Sequence, residues 1–315
     1  MKKSPLFKMN IVAEYRVEFA MTLALIILCI VLSILSSQFL TVGNFRNLLW
    51  QATAIGIISI GQTLVILTSG IDLSVGGIAA FSVMFGGMIV MKIGVPLGAV
   101  AILCIGILVG AVNGYLIAYA RLAPFIVTLG MLSITRSLTY VVNDGRSLVG
   151  LPATYRMIGK ATLGSVPFYT IILISLFILG HILLTKTKVG RFLYAIGSNE
   201  EAARLTGVNV RFYKALAYIF TGCLCSIAVI ILTSRLGAID PDTGTGMELD
   251  TIAAVVIGGS SLSGGKGSLI GTFIGVFLIT ILHNGLNLIG VSPFWQGSAV
   301  GSVIIVSVLL DRLLS

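Results

Sequence analysis

The groups able to do covalent chemistry in this chain are few and scattered. The two histidines, His181 and His283, stand far apart in sequence. The four cysteines, Cys29, Cys104, Cys223 and Cys225, all fall inside apolar runs. Cys223 and Cys225 are two positions apart, so on a helix they point in nearly opposite directions and make a poor metal pair; all four read as packing residues. No nucleophile–base pair and no metal-spaced His/Cys cluster is visible. The stretch Gly264-Gly265-Lys266-Gly267 superficially has the look of a phosphate-binding loop. It departs from G-x-x-x-x-G-K-[ST], because Ser260 takes the place of the first glycine and Gly267 that of the closing hydroxyl residue. An enzyme is therefore disfavoured, and no cofactor or metal is expected on the chain itself.

What the polar residues offer instead is recognition. The most polar segment runs from Lys186 to Lys214, and within it Ser198-Asn199-Glu200-Glu201 has the form of a capping box. Ser198 can accept from the Glu201 N–H while the Glu201 carboxylate reaches back. Ala202, Ala203, Arg204 and Leu205 favour helix, and Gly207 can close it in a left-handed conformation. The expected product is a short helix between two apolar spans, either a knob for a partner's groove or a solvated loop that caps its neighbours. Asp72 and Ser74 lie at a turn where Asp can cap the following helix or act in gating. Ser261 and Ser263, in SSLSGG, occupy a similar turn, and the likeness to DLSVGG hints at an internal repeat. Asn113, Asn284 and Asn287 are uncharged hydrogen-bonding groups in or near spans. They suit a path for neutral polyols, and equally bonds between helices. Arg136 inside a span either pairs or snorkels to the surface, and the second use is the commoner expectation. Asp240, Asp242, Glu248 and Asp250 make the segment 238–250 an acidic, flexible loop, either solvated or facing a basic partner.

The elements that must carry these residues are membrane helices. Only 10% of the residues are charged and the mean hydropathy is +1.09, whereas soluble domains carry about 25% charged residues. Apolar runs place ten spans near Phe19–Ser37, Leu49–Thr68, Leu73–Met91, Val95–Tyr119, Ala123–Val142, Val166–Leu184, Phe212–Thr233, Thr251–Ser263, Ser268–Leu286 and Pro293–Leu310. The eighth is short against the ~20 residues that a bilayer requires and is expected to be broken or partly inserted. Lys2, Lys3 and Lys8 precede the first run without a small-residue cleavage site behind it, which reads as an uncleaved span. With the N-terminus inside, Lys and Arg number 13 in the inner segments against 6 in the outer ones, so both termini are expected in the cytoplasm. The net charge of +9 sits at membrane edges rather than along a stripe, which disfavours nucleic acid. Glycines recur at i, i+4 as Gly106/Gly110/Gly114, Gly267/Gly271/Gly275 and Gly297/Gly301, a spacing that lets helix backbones approach closely. The reading is one all-α transmembrane domain over residues 1–315.

The stretch Glu201-Ala202-Ala203…Gly207 resembles the coupling-helix motif of ABC-importer permeases. Further stretches resemble the ribose-type sugar permeases more narrowly: LVILTSGIDLSVGG (Leu64–Gly77), NGYLIAYARLAPFIVTLGML (Asn113–Leu132), GRFLYAIGSNEEAARLTGVNV (Gly190–Val210), GTGMELDTIAAVVIGGSSLSGGKGS (Gly244–Ser268) and HNGLNLIGV (His283–Val291). They cover most of the chain, in order. The resemblance implies a multi-pass protein of the bacterial cytoplasmic membrane that pairs with a second permease copy. A separate cytoplasmic ATPase would carry ATP-Mg, and a periplasmic or lipid-anchored binding protein would deliver the sugar. On that resemblance residues Ser198–Gly207 would contact the ATPase; from their own chemistry Asp240 and Asp242 are candidates to meet the binding protein, and Asp72, Ser74, Asn113, Asn284 and Asn287 candidates for the translocation path or gate. An ion-coupled secondary transporter is the competing class. It normally needs carboxylates within the spans, and here Asp and Glu are expected at their edges.

Overall fold

The computed structural model describes residues 16–302, 305 and 309, which form a helical bundle edged by two short β-ribbons. In chain order its helices are α1 (Arg16–Leu35), α2 (Val42–Leu67), α3 (Val75–Lys92), α4 (Val95–Ala118), α5 (Pro124–Val142) and α6 (Ala153–Lys160). They continue with α7 (Phe168–Lys186), α8 (Lys188–Ser198), α9 (Glu200–Leu205), α10 (Val210–Leu236), α11 (Met247–Ile257) and α12 (Leu269–Leu288). Among the described residues, eight are long and apolar enough to cross a membrane: α1 to α5, α7, α10 and α12. The expected tenth span begins with a 3-10 turn, Pro293–Trp295, and helical residues 296–302; most of its remainder lies outside the described residues.

The expected eighth span is α11, and it is half a span. Its 11 residues rise about 16 Å, against a hydrocarbon core of about 30 Å. It stops at Ile257 rather than Ser263, because Gly259 turns left-handed (φ 87°) and the N–H of Ser260 closes on Val255 O at 3.2 Å. The helix α2 ends alike, with Ser69 at φ 60° and the N–H of Gly70 donating to Val65 O at 3.1 Å. These matching ends are what the structure offers toward the repeat hinted at by DLSVGG and SSLSGG. Beyond them the two stretches differ, one extended and one a glycine turn.

The centre of the bundle is α2. Of its most apolar stretch 83% is buried, against 6% for α1, which rides on the outside against α12. That explains why α2 tolerates Gln62, Thr53, Ser59 and Thr63: all four are buried against protein rather than lipid. The glycine faces expected from the spacing are used on two helices. A side chain at Gly106, Gly110 or Gly114 of α4 would collide with Gly222, Tyr218 or Ala215 of α10, and one at Gly271 or Gly275 of α12 with Gly258 or Ala254. The other members of those sets do not contribute: Gly267 sits in the turn before α12, and Gly297 and Gly301 meet nothing within 4 Å.

Two irregular segments enter the bundle. Residues 68–74 leave the end of α2 and climb beside α5: Thr128 donates to Ile71 O (3.2 Å), and Gly77 packs on Thr135. Thr128 and Thr135 are separated by about 10 Å of helix, so α3 starts well inside the bundle. From the opposite face, residues 237–246 descend after Gly237 ends α10 (φ 77°), and Gly244 meets Gly76. The half-helix α11 starts there.

Candidate functional site

The expected recognition helix exists, with a different cap. Ser198 is the last residue of α8, so it cannot cap α9. Asn199 does, accepting from the Ala202 N–H at 2.9 Å. The Glu201 carboxylate pairs with Arg204 instead of folding back, and Glu200 pairs with Lys214. The Arg204 guanidinium, by its hydrogen bonds, holds the Glu201 carboxyl below its ordinary range. Gly207 takes φ 86°, as expected, and the N–H of Val208 returns to Ala203 O at 3.1 Å. Ala203 faces inward with Ile196 and Val210, while Glu200, Glu201, Ala202, Arg204 and Leu205 face solvent.

The helix α8, which the polarity of the segment obscured, is the seat for α9. Gly190, Leu193 and Ile196 are buried on one face, a three-residue spacing legible in the sequence. Gly197 packs on Leu67 and Gly265, the N–H of Gly265 donates to Leu67 O (3.1 Å), and the Tyr194 hydroxyl donates to Gly267 O (2.8 Å). The glycine turn 264–267 is thus a clasp between α2 and α8, with the Gly265 N–H already occupied. Beside α9 lies a groove of about 680 Å³ between the α4–α5 turn and the start of α10, lined by Arg121, Glu200, Glu201, Arg204, Arg211 and Lys214. Both carboxylates are paired within it, and Arg121 and Arg211 add positive charge.

Deeper in the bundle, Asp72, Ser74 and Asn113 form one cluster. Asp72 Oδ1 accepts from the Ser74 N–H (2.9 Å) and the Ser74 hydroxyl (2.5 Å), while Asn113 Nδ2 donates to Ser74 Oγ (2.8 Å). The carboxylate therefore ties the turn before α3 and does not cap that helix; Ser74 holds the N-cap position, and its side chain makes no capping bond to the helix. Gln62, with its amide oriented to suit its neighbours, donates to Asp72 O (3.1 Å) and accepts from the Asp72 N–H (3.3 Å). Asp72 Oδ2, Asn113 Oδ1 and the Tyr218 hydroxyl are buried without a protein partner among the described residues.

The three asparagines are not brought together. Asn284 exchanges amide hydrogen bonds with Asn44 of α2 (3.0 and 2.8 Å), the interhelical use. Asn287 accepts from Gln296 (2.7 Å) beside a separate cavity. Arg136 does not snorkel. Its Nη1 donates to Pro241 O (3.1 Å) and Thr243 O (3.0 Å), because the descending segment leaves those carbonyls without helix partners.

The acidic segment divides. Asp240 and Asp242 are exposed on the face opposite α9, yet tied down rather than loose: Ser147 donates to Asp240 (2.7 Å) and Tyr140 to Asp242 (2.5 Å). The Ser147 hydroxyl and the Asp242 N–H lower the Asp240 carboxyl from its ordinary range. Glu248 and Asp250 belong to the first turn of α11, within the bundle. With Asp72 fully buried in the irregular segment before α3, and Glu248 and Asp250 in the first turn of α11, carboxylates are not confined to span edges as the sequence suggested.

The family described as "Branched-chain amino acid transport system / permease component" matches residues 44–309. The "Ribose import permease protein RbsC" of Bacillus subtilis (strain 168) is 46% identical over 293 residues, covering 92% of this chain and 91% of the relative. The protein of that name from Escherichia coli (strain K12) is 41% identical over 295 residues, 92% of each chain. The "D-allose transport system permease protein AlsC" of the same strain is 35% identical over 295 residues, 92% of this chain and 90% of the relative. No solved structure gives a significant match.

Proposed function

The chain belongs to the permease-component family of branched-chain-amino-acid-type transport systems, in its sugar-importing branch, and from that premise we propose that it passes a ribose-like monosaccharide across the inner membrane. The observation that carries this reading is the 46% identity to a ribose import permease along nearly the whole of both chains. On this reading the chain is the membrane subunit of an ATP-driven importer and works as a homodimer. A separate cytoplasmic ATPase binds ATP-Mg, and an extracytoplasmic binding protein delivers the sugar. Both termini are cytoplasmic, so the α9 face is the ATPase side and the face of Asp240 and Asp242 receives the binding protein.

The geometry fits a mechanical coupling. Exposed Ala202, Arg204 and Leu205 offer a small knob, and the basic groove beside them complements an acidic partner surface. A push on α9 reaches the spans through α8 and the 264–267 clasp, which bear on the end of α2. From there residues 68–74 lead to the Asp72–Ser74–Asn113 cluster at the start of α3, the proposed gate. Replacing Glu201 and Arg204 together by Ala is expected to abolish uptake and ATPase association while the chain stays in the membrane. Unimpaired uptake and association in that variant would remove the docking role from α9.

An ion-coupled secondary transporter is the second reading, and buried Asp72 with one unpartnered oxygen is the observation in its favour. Uptake in vesicles by this chain alone, driven by an ion gradient without an ATPase, would favour it.

A further inference from the structure

Between α2, α10, α11 and α12 lies a cavity of about 230 Å³, whose polar lining includes Gln51, Asp250, His283, Asn287 and Gln296 together with the Trp50 indole. Four of these side chains form a continuous hydrogen-bonded run. His283 Nε2 is 3.1 Å from Asp250 Oδ1, His283 Nδ1 is 2.8 Å from Gln296 Oε1, and Gln296 Nε2 donates to Asn287 Oδ1 at 2.7 Å. The Arg235 guanidinium lies over the Trp50 ring, 4.6 Å from its centroid, and bonds Asn47 Oδ1 at 2.5 Å. Trp50 Nε1–H is buried with no partner among the described residues. An indole N–H is a donor only, and burying it unpaired is unfavourable unless something supplies an acceptor.

The chemistry of this lining is selective. Its one carboxylate, Asp250, is held by the His283 imidazole. The lining offers acceptors on Asp250 and donor–acceptor amides on Gln51, Asn287 and Gln296, the mixed set that hydroxyl groups satisfy. An aromatic wall beside such groups gives the C–H face of a sugar ring an apolar surface. At ~30 Å³ per water the volume holds between seven and eight waters, room for one small monosaccharide and not for a disaccharide. The cavity also sits at the first turn of α11, the helix that starts inside the bundle, and broken helices are where transporters build substrate sites.

We propose that this cavity is a monosaccharide subsite of the permease itself, with Asp250, Asn287 and Gln296 bonding sugar hydroxyls, His283 orienting Asp250 and Gln296, and Trp50 giving the ring an apolar wall. The proposal rests on the import reading and makes it more specific: the permease holds the sugar on its way through. The chain contains two tryptophans, so Trp295→Phe leaves Trp50 as the sole indole reporter. The full chain carrying that change, in lipid nanodiscs, is titrated with D-ribose and, as a control, with glycerol, while indole emission is read. A saturable change at millimolar ribose is expected, absent with glycerol, and weakened about tenfold or more by Asn287→Ala and by Gln296→Ala in variants that keep the parent's thermal unfolding midpoint. A ribose response that never saturates, that glycerol matches, or that both alanine variants retain overturns the subsite. Uptake of ribose by the complete importer without a saturable emission change overturns the subsite and leaves the import reading standing. Saturable binding in a chain that supports no uptake with its ATPase and binding protein overturns the import reading instead.

Discussion

Asp72 is a carboxylate whose whole surface is withdrawn from solvent, at a point where the backbone is neither helix nor strand. Its neighbours explain how that is tolerated: Ser74 gives one oxygen two donors, and Gln62 satisfies the backbone on both sides. Asp72→Ala removes the acceptor of both Ser74 donors and is expected to lower stability by about 1–3 kcal/mol. Asp72→Asn keeps one acceptor oxygen and is expected to lose less. Thermal unfolding of the two variants in detergent checks this, and an alanine variant as stable as the parent would deny the carboxylate its role in the turn. Of this cluster, the type of Asp72 and its place before a helix were legible in the sequence. The partnership of Gln62 was not, because a glutamine in a long apolar run announces burial among protein without naming its partner.

The element with the clearest local signature is α9. Its acidic first turn, its alanines and its closing glycine are all visible in ten consecutive residues, and the structure forms the helix there. The cap moved by one residue because α8 continues through Ser198, drawn on by the burial of Leu193 and Ile196, so Asn199 became the first residue free to turn. Asn199→Ala is expected to cost α9 about 1 kcal/mol. Hydrogen exchange reads this directly: the amides of Glu200–Leu205 should exchange several-fold faster, and unchanged protection there would remove the cap. The shortness of α11 was also legible, as an eighth apolar run too brief to span. What could not be read was its partner in irregularity, the segment 68–74, since LSVGG reads on its own as an ordinary helix start.

As a whole the molecule is a membrane bundle built around α2, with α9 exposed at one end and two broken segments meeting inside. The count of Lys and Arg predicts both termini on the α9 side, through ten spans. A topology reporter fused after Ser315 should therefore report the cytoplasm; an external signal would mean nine crossings and a different fate for Pro293–Leu310.

The sequence by itself determined that the chain lives in a membrane, roughly where its spans run, and that a helix stands out near residue 200. These properties depend on composition and on neighbours a few positions apart. The tertiary structure alone decided which polar groups meet: Arg136 with the carbonyls of residues 241 and 243, Asn44 with Asn284, and His283 with Asp250. Those partners are distant in sequence, and only the packing of the helices and of the two irregular segments brings them together. In an interior without water each buried donor must then find whichever acceptor that packing places beside it.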